Sequence, residues 1–236
     1  MKLIQISNLA GGVGKTTTAH AVAVAATEYG QKVLLIDADP SAGLTFVNGI
    51  ENPRVSTKEF LEGEYNTEAA LLKTSERFSL LAASSRLAAL DLEAVISSDR
   101  FKEAVREFDL VIVDCPSGPD RLSTYFNQLA DLLLIPTTTE ILSIRGALHA
   151  KEFANSSGFI SAPKLLITKQ NHEIPTDFLQ ICAGEFEVIE PAVRGDESVP
   201  LSQTTGKSIL TIENQSGIAS DYREITYSLL EYLGLA

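Results

Sequence analysis

Residues 3–19 read Leu3-Ile4-Gln5-Ile6-Ser7-Asn8-Leu9-Ala10-Gly11-Gly12-Val13-Gly14-Lys15-Thr16-Thr17-Thr18-Ala19. A short apolar run is followed by three glycines within four positions, then Lys15-Thr16-Thr17 and an alanine-rich stretch. The spacing predicts a strand, a tight turn and a helix over Thr16–Tyr29. An anion bound at such a turn meets backbone N–H groups unobstructed by Cβ atoms, together with the positive end of the helix dipole. Gly11, Gly12, Val13, Gly14, Lys15, Thr16 and Thr17 are therefore the candidate triphosphate-binding residues. Lys15 is expected to reach the β and γ phosphates, and the Thr16 hydroxyl to ligate Mg²⁺. The competing reading is a glycine turn that only lets strand and helix pack closely. The placement of Lys and Thr after the glycines favours the phosphate site.

Working outward, two acidic strand ends accompany the loop. Leu34-Leu35-Ile36-Asp37-Ala38-Asp39-Pro40 closes one apolar run, and alternation puts its two carboxylates on opposite faces, so only one can look at the phosphates. Leu110-Val111-Ile112-Val113-Asp114 is a second apolar run ending in aspartate, the pattern that holds Mg²⁺ through water. Asp114 is the candidate metal-site carboxylate beside Thr16. A lone aspartate ending a strand is often only a cap; two of them following a phosphate loop point to metal and water positioning.

Apolar runs and helical stretches alternate along the chain, as in βαβ units around a parallel sheet. Strands are expected near residues 3–6, 33–36, 78–81, 110–113, 132–135, 165–168 and 187–189. Helices are expected near 16–29, 100–107, 123–129, 142–155, 177–183 and 218–233. Residues 49–67 are polar and aperiodic and read as a surface excursion. The fold class expected is α/β, a single doubly wound, mostly parallel sheet with helices on both faces, spanning residues 1–236 as one domain. Ligands of such sheets sit at the carboxyl ends of the strands.

Composition narrows the partners. With 19 basic against 31 acidic residues the net charge is −12, which disfavours a dedicated DNA reader or an anionic-membrane binder. The start of the chain lacks the features of a signal peptide and reads as a strand. Two cysteines, Cys115 and Cys182, make no metal cluster and read as buried, reduced thiols of a cytoplasmic protein. His20, His149 and His172 have no metal-ligand spacing. The final helix carries Asp221, Glu224 and Glu231 against Arg223, so it is expected to pack on the domain and not on lipid.

The chain resembles the ParA/MinD family of deviant Walker A ATPases over nearly its whole length. The marks are residues 8–17, Asp37-Ala38-Asp39-Pro40, Val113-Asp114-Cys115-Pro116-Ser117-Gly118, Ile135-Pro136-Thr137-Thr138-Thr139-Glu140, and the late segment ending Thr205-Gly206-Lys207-Ser208. The resemblance implies ATP and Mg²⁺ as cofactors, with Asp39 positioning the attacking water and Asp37 helping to hold the metal. It implies an ATP-dependent homodimer in which a second loop lysine crosses to the partner's phosphates. That lysine belongs at position 10, where this chain has Ala10. The McdA branch, which distributes carboxysomes over the nucleoid, also lacks it and recruits a lysine from a later helix. Lys151 is the candidate here, against the simpler reading of a solvated lysine beside Glu152. Asn171 and Arg194, in loops after late strands, are the candidate adenine contacts.

The function expected is a ParA-type positioning ATPase. It would dimerise with ATP, hold nucleoid DNA non-specifically, and distribute a cargo, carboxysomes by resemblance, through an adaptor protein that stimulates hydrolysis. Non-specific DNA, the adaptor and a second copy are the expected partners, and no membrane is among them. Arg194, Lys207 and Arg223 are the basic residues beyond position 170 that could face DNA. Plasmid or chromosome partition is the near alternative. A P-loop metabolic enzyme, such as an ATP-dependent ligase, is the alternative of a different class. An iron–sulfur reductase would need cysteines that this chain does not have.

Overall fold

The computed structural model describes residues 1–236. Eight strands form one sheet: β1 Lys2–Ile6, β2 Val33–Asp37, β3 Leu72–Lys73, β4 Ser79–Leu81, β5 Leu110–Asp114, β6 Leu132–Thr137, β7 Lys164–Ile167 and β8 Glu187–Ile189. The spatial order is β3-β4-β2-β5-β1-β6-β7-β8, and every pairing is parallel except β3 with β4. Order reverses across β1, where ligand crevices of open α/β sheets lie. The register matters for chemistry. Ile6 and Asp37 both sit opposite Asp114, so β1, β2 and β5 end level and deliver their following residues to one edge.

Strand alternation divides the interior. On β5, Leu110 and Ile112 join the core beneath the helix Lys15–Glu28, while Val111 and Val113 join the opposite one. The helix after the phosphate loop is buried nearly all round, and its small residues Ala19, Ala21, Ala23, Ala25 and Ala26 make that possible. It lies between the sheet and the C-terminal helix Gly217–Leu233, whose Ile218, Tyr222, Ile225 and Leu229 are buried in the same core. The Tyr222 hydroxyl meets Thr18 Oγ1 at 3.2 Å. The final helix thus spends its apolar face on the domain.

One expectation needs correction, and some short elements were not expected. Residues 49–67 are not a plain surface excursion, because they contain the helix Thr57–Leu61 with Phe60 and Leu61 buried. The overlooked signal is a capping box: Glu59 accepts from the Ser56 amide at 2.9 Å, and Ser56 takes the reciprocal bond. The short edge strand β3 was also not anticipated, since its two residues carry no periodicity. Late short helices, Val199–Thr204 and Ile209–Ile212, also lie outside the expected elements.

Phe60→Ala is expected to lower unfolding free energy by about 3–5 kcal/mol. A denaturant melt checks it; a change under about 1 kcal/mol would return residues 49–67 to the status of a solvated loop.

Candidate functional site

The phosphate loop runs from the end of β1 to the first turn of the helix Lys15–Glu28. Gly14 takes the N-cap position at φ 85° and Gly12 has φ 73°, left-handed conformations that side-chain-bearing residues avoid. From Gly11 onward, the first backbone amide to find a protein acceptor is that of Thr18, on the Gly14 carbonyl at 2.8 Å. The amides of residues 11–17 therefore remain donors without protein partners, as an anion site requires.

The loop is held from outside through its carbonyls and flanks. Asn8 donates to the Pro136 carbonyl at 2.8 Å and accepts from the Ala10 amide at 2.8 Å, tying the loop's start to the end of β6. Thr168, just past β7, donates to the Val13 carbonyl at 2.9 Å, and Lys169 Nζ donates to the Gly12 carbonyl at 2.7 Å. On the remaining side lies the helix Ile141–Ser156, at Gly146. A Cβ there would come within 2.6 Å of Asn8 Oδ1 and 2.7 Å of Ala10 Cβ, so this contact closes only between two small residues.

Lys15 is buried, and its ammonium bonds the Ala10 carbonyl at 2.9 Å and Ser117 Oγ at 2.7 Å. Burial lowers its pKa, while Asp114 and Asp39 pull the other way. Both partners are neutral, so a phosphate oxygen would be the stronger acceptor. A cavity of about 650 Å³ opens over the loop, lined among others by Gly12, Gly14, Lys15, Thr16, Thr17, Asp39, Asn171 and Arg194.

Asp114 is buried, and burial raises its pKa well above the carboxylate range, with the Asp37 charge adding and a bond to the Thr16 hydroxyl opposing. Its Oδ1 has no hydrogen-bond partner. An orphaned, buried carboxylate oxygen next to a threonine hydroxyl fits a hydrated Mg²⁺, whose charge would offset the crowding. Thr16 and Asp114 are thus the residues that would hold the metal.

The other sequence candidates divide. Asp39 lines the cavity, its Oδ1 accepting from the Ser41 amide at 2.8 Å, and is the one carboxylate of its pair that faces the ligand space. Asp37, to which the resemblance gives a share in holding the metal, does not line it. Its Oδ2 accepts from the Thr45 amide at 2.8 Å and the Thr45 hydroxyl at 2.7 Å, and its Oδ1 from the Asp39 amide at 3.1 Å. Burial pushes its pKa up to about 6 against those bonds. Asp37 fixes the turn that aims Asp39. Asn171 borders the cavity, its amide lying across the backbone of Gly195. Arg194 also borders it, but its guanidinium is spent on Asp221: Nε to Oδ2 at 2.8 Å and Nη2 to Oδ1 at 2.8 Å. Its backbone amide is taken by the same carboxylate at 3.1 Å, so any donor it offers a base comes from the outer N–H groups of the guanidinium.

Lys151, the candidate for reaching a partner subunit's phosphates, is held within its own chain. Its ammonium bonds the Glu185 carbonyl at 2.6 Å and carboxylate at 2.9 Å and lies 5.3 Å from the Phe186 ring centroid. Gly146 is the point where this helix touches the loop, and five residues onward turn a side chain roughly 140° away. Lys151 does not border the cavity of its own chain; the crossing expected of it is to a second copy's nucleotide. Sequence reasoning missed Ser117, Thr168, Lys169 and Gly146. Three of these follow a strand or sit at its end, so the carboxyl-end rule was the signal that could have found them; Gly146 lies within a helix and had none.

Comparison with known proteins gives four findings. A protein-family model described as AAA domain matches residues 1–157. The septum site-determining protein MinD of Bacillus subtilis is 30% identical over 217 residues, covering 82% of this chain and 80% of that protein. Among solved structures, cobyrinic acid a,c-diamide synthase from Mycobacterium smegmatis with bound ATP analog and magnesium superposes with TM-score 0.81 and 28% identity, covering 99% of this chain and 95% of that one. Apo McdA from Cyanothece has TM-score 0.81 at 22% identity, covering 97% of this chain and 99% of its own, which is likeness of fold.

Lys15→Ala is expected to weaken Mg-ATP binding by roughly 100-fold, whereas Lys151→Ala changes it less than about twofold. Titration calorimetry checks both, and an equal loss from the two variants would undo the assignment. Gly146→Val should destabilise the fold by about 2 kcal/mol, read in a denaturant melt, because the helix must lift from the loop.

Proposed function

The chain belongs to the ParA/MinD family of P-loop ATPases, and from that premise we propose that it is a slow, partner-stimulated positioning ATPase. The observation that carries this reading is the run of unpartnered amides at 11–17, facing the same cavity as Lys15 and Asp39 and backed by the orphaned Asp114 oxygen. ATP with Mg²⁺ is the ligand whose charge and size that arrangement suits.

The steps follow from the residues. A triphosphate settling on the loop amides offers Lys15 a charged acceptor in place of the Ala10 carbonyl and Ser117. Thr16 would ligate Mg²⁺ and Asp114 would hold it through water, and the ion would supply charge neutralisation at the phosphates. Asp39 orients a water for attack on the γ phosphorus. The bond to the β–γ bridging oxygen breaks, giving ADP and phosphate. Hydrolysis alone is slow because no free arginine faces the cavity: Arg194 is neutralised by Asp221. Asp39 is also only half-buried, so water is not excluded until another surface covers it.

The finer reading has ATP-bound pairs of subunits resting on nucleoid DNA and releasing when a cargo adaptor stimulates hydrolysis. Carboxysomes are the cargo favoured by Ala10, the feature shared with the McdA branch. Of the basic residues beyond 170 considered for DNA, Arg194 and Arg223 are already paired with Asp221 and Glu28. Contact from that region falls to Lys207, doubled across a pair of subunits. The second reading, an ATP-dependent amidating enzyme, is favoured by the 28% likeness to the diamide synthase.

Phosphate release from Mg-ATP separates these readings. Alone, the chain is expected to turn over below roughly 0.01 per second. Non-specific duplex DNA together with the adaptor should raise the rate by about tenfold or more. Fast turnover by the isolated chain would overturn the positioning role, and ATP consumption that depends on a small carboxylic acid and ammonia or glutamine would establish the enzyme instead.

A further inference from the structure

Among the charged side chains lining the nucleotide cavity, Lys169 has no place in the steps above. It lies two residues past the end of β7 and has φ 55°, a left-handed backbone that a lysine rarely adopts. That turn throws its side chain over the phosphate loop, where the ammonium donates to the Gly12 carbonyl at 2.7 Å. The site is built around it. Thr168 is bonded to Val13, and the Gln170 amide is fixed on the Val193 carbonyl at 2.9 Å, so Lys169 projects from between two anchored neighbours.

Its partner is the unusual part. In a chain with 31 acids against 19 bases, most cations with recorded contacts rest on carboxylates: Lys2 on Asp131, Lys151 on Glu185, Arg194 on Asp221, Arg223 on Glu28. Lys15 and Lys169 do not. Each rests on a carbonyl of the same loop, Lys15 on Ala10 and Lys169 on Gly12, and each lines the same cavity. A carbonyl holds an ammonium less strongly than a phosphate oxygen does, so both ammoniums are poised to exchange when a triphosphate arrives. The carboxylates Asp39, Asp196 and Glu197 border the same space, which makes a second unneutralised cation there more valuable to an anionic ligand.

We propose that Lys169 is the second phosphate-contacting cation of this site. It transfers from the Gly12 carbonyl to the polyphosphate of its own chain's nucleotide, and supplies in cis the positive charge that Ala10 cannot. This inference rests on the Mg-ATP reading above. The alternative is a brace that only fixes the loop through Gly12.

The test compares the full chain with Lys169→Gln and Lys169→Arg. Glutamine keeps a donor able to reach a carbonyl but removes the charge. Mg-ATP affinity is expected to fall about tenfold or more in Lys169→Gln and to stay within about threefold in Lys169→Arg. The salt dependence of binding should become shallower in Lys169→Gln, and the nucleotide-free melting temperature should move by less than about 2 °C. Wild-type ATP affinity in Lys169→Gln overturns the proposal while leaving the functional reading intact. An affinity loss matched by a large drop in the nucleotide-free melting temperature, with no change in salt dependence, assigns the brace instead. A wild-type chain that binds no Mg-ATP overturns both.

Discussion

Backbone N–H groups that must converge on an anion cannot also satisfy one another, and the rest of this site follows from that constraint. The loop between β1 and its helix keeps its amides at 11–17 without protein acceptors, so it cannot be stabilised by an internal ladder. Its shape is imposed from outside. Asn8 secures it to the end of β6, Thr168 and Lys169 hold carbonyls from the end of β7, and Gly146 abuts Ala10 from a helix. All of these pins come from strand ends or helices beyond residue 130, while the loop lies near residue 10. The anion site therefore exists only once the second half of the sheet has docked on β1.

Two aspartates two residues apart acquire different work from one strand end. Alternation turns Asp37 inward, where Thr45 and the Asp39 amide use its oxygens, and turns Asp39 to the cavity. Asp37 lies opposite Asp114 across the β2–β5 pairing, so two carboxylates are crowded in a buried place. Burial raises the pKa of both, and at Asp114 the Asp37 charge adds to it. A divalent cation at Thr16 and Asp114 relieves what the protein leaves uncompensated, which couples metal binding to the electrostatic comfort of the strand ends.

Positive charge is scarce here, and where it is spent shapes the chemistry. Arg194 borders the ligand space yet is clamped bidentately by Asp221, making it a strut between a loop and the C-terminal helix. Lys151 is held by Glu185 on the far side of its helix. Lys15 and Lys169 alone among the lysines that line the cavity rest on loop carbonyls, ready to exchange. A site so supplied can bind a polyphosphate more readily than it can stabilise the charge of a reacting one, and a binding-dominated site suits a switch.

The strand–turn–helix at residues 3–29, the apolar strand ends at Asp37–Asp39 and Asp114, and the doubly wound sheet were all legible in the chain, because local periodicity and backbone chemistry encode them. The helix at Thr57–Leu61 was equally local, written in Ser56 and Glu59, and was overlooked. What no local signal carried was partnership across distance. That Lys151 is bound by Glu185, that Arg194 is neutralised by Asp221, and that Gly146 must be small to meet Ala10 depend on where separate elements come to rest. The sequence by itself determined that a phosphate cradle exists and which residues form its floor. Tertiary structure alone decided which cations remain free to reach it, since an ion pair between residues far apart in the chain is settled by packing and not by spacing.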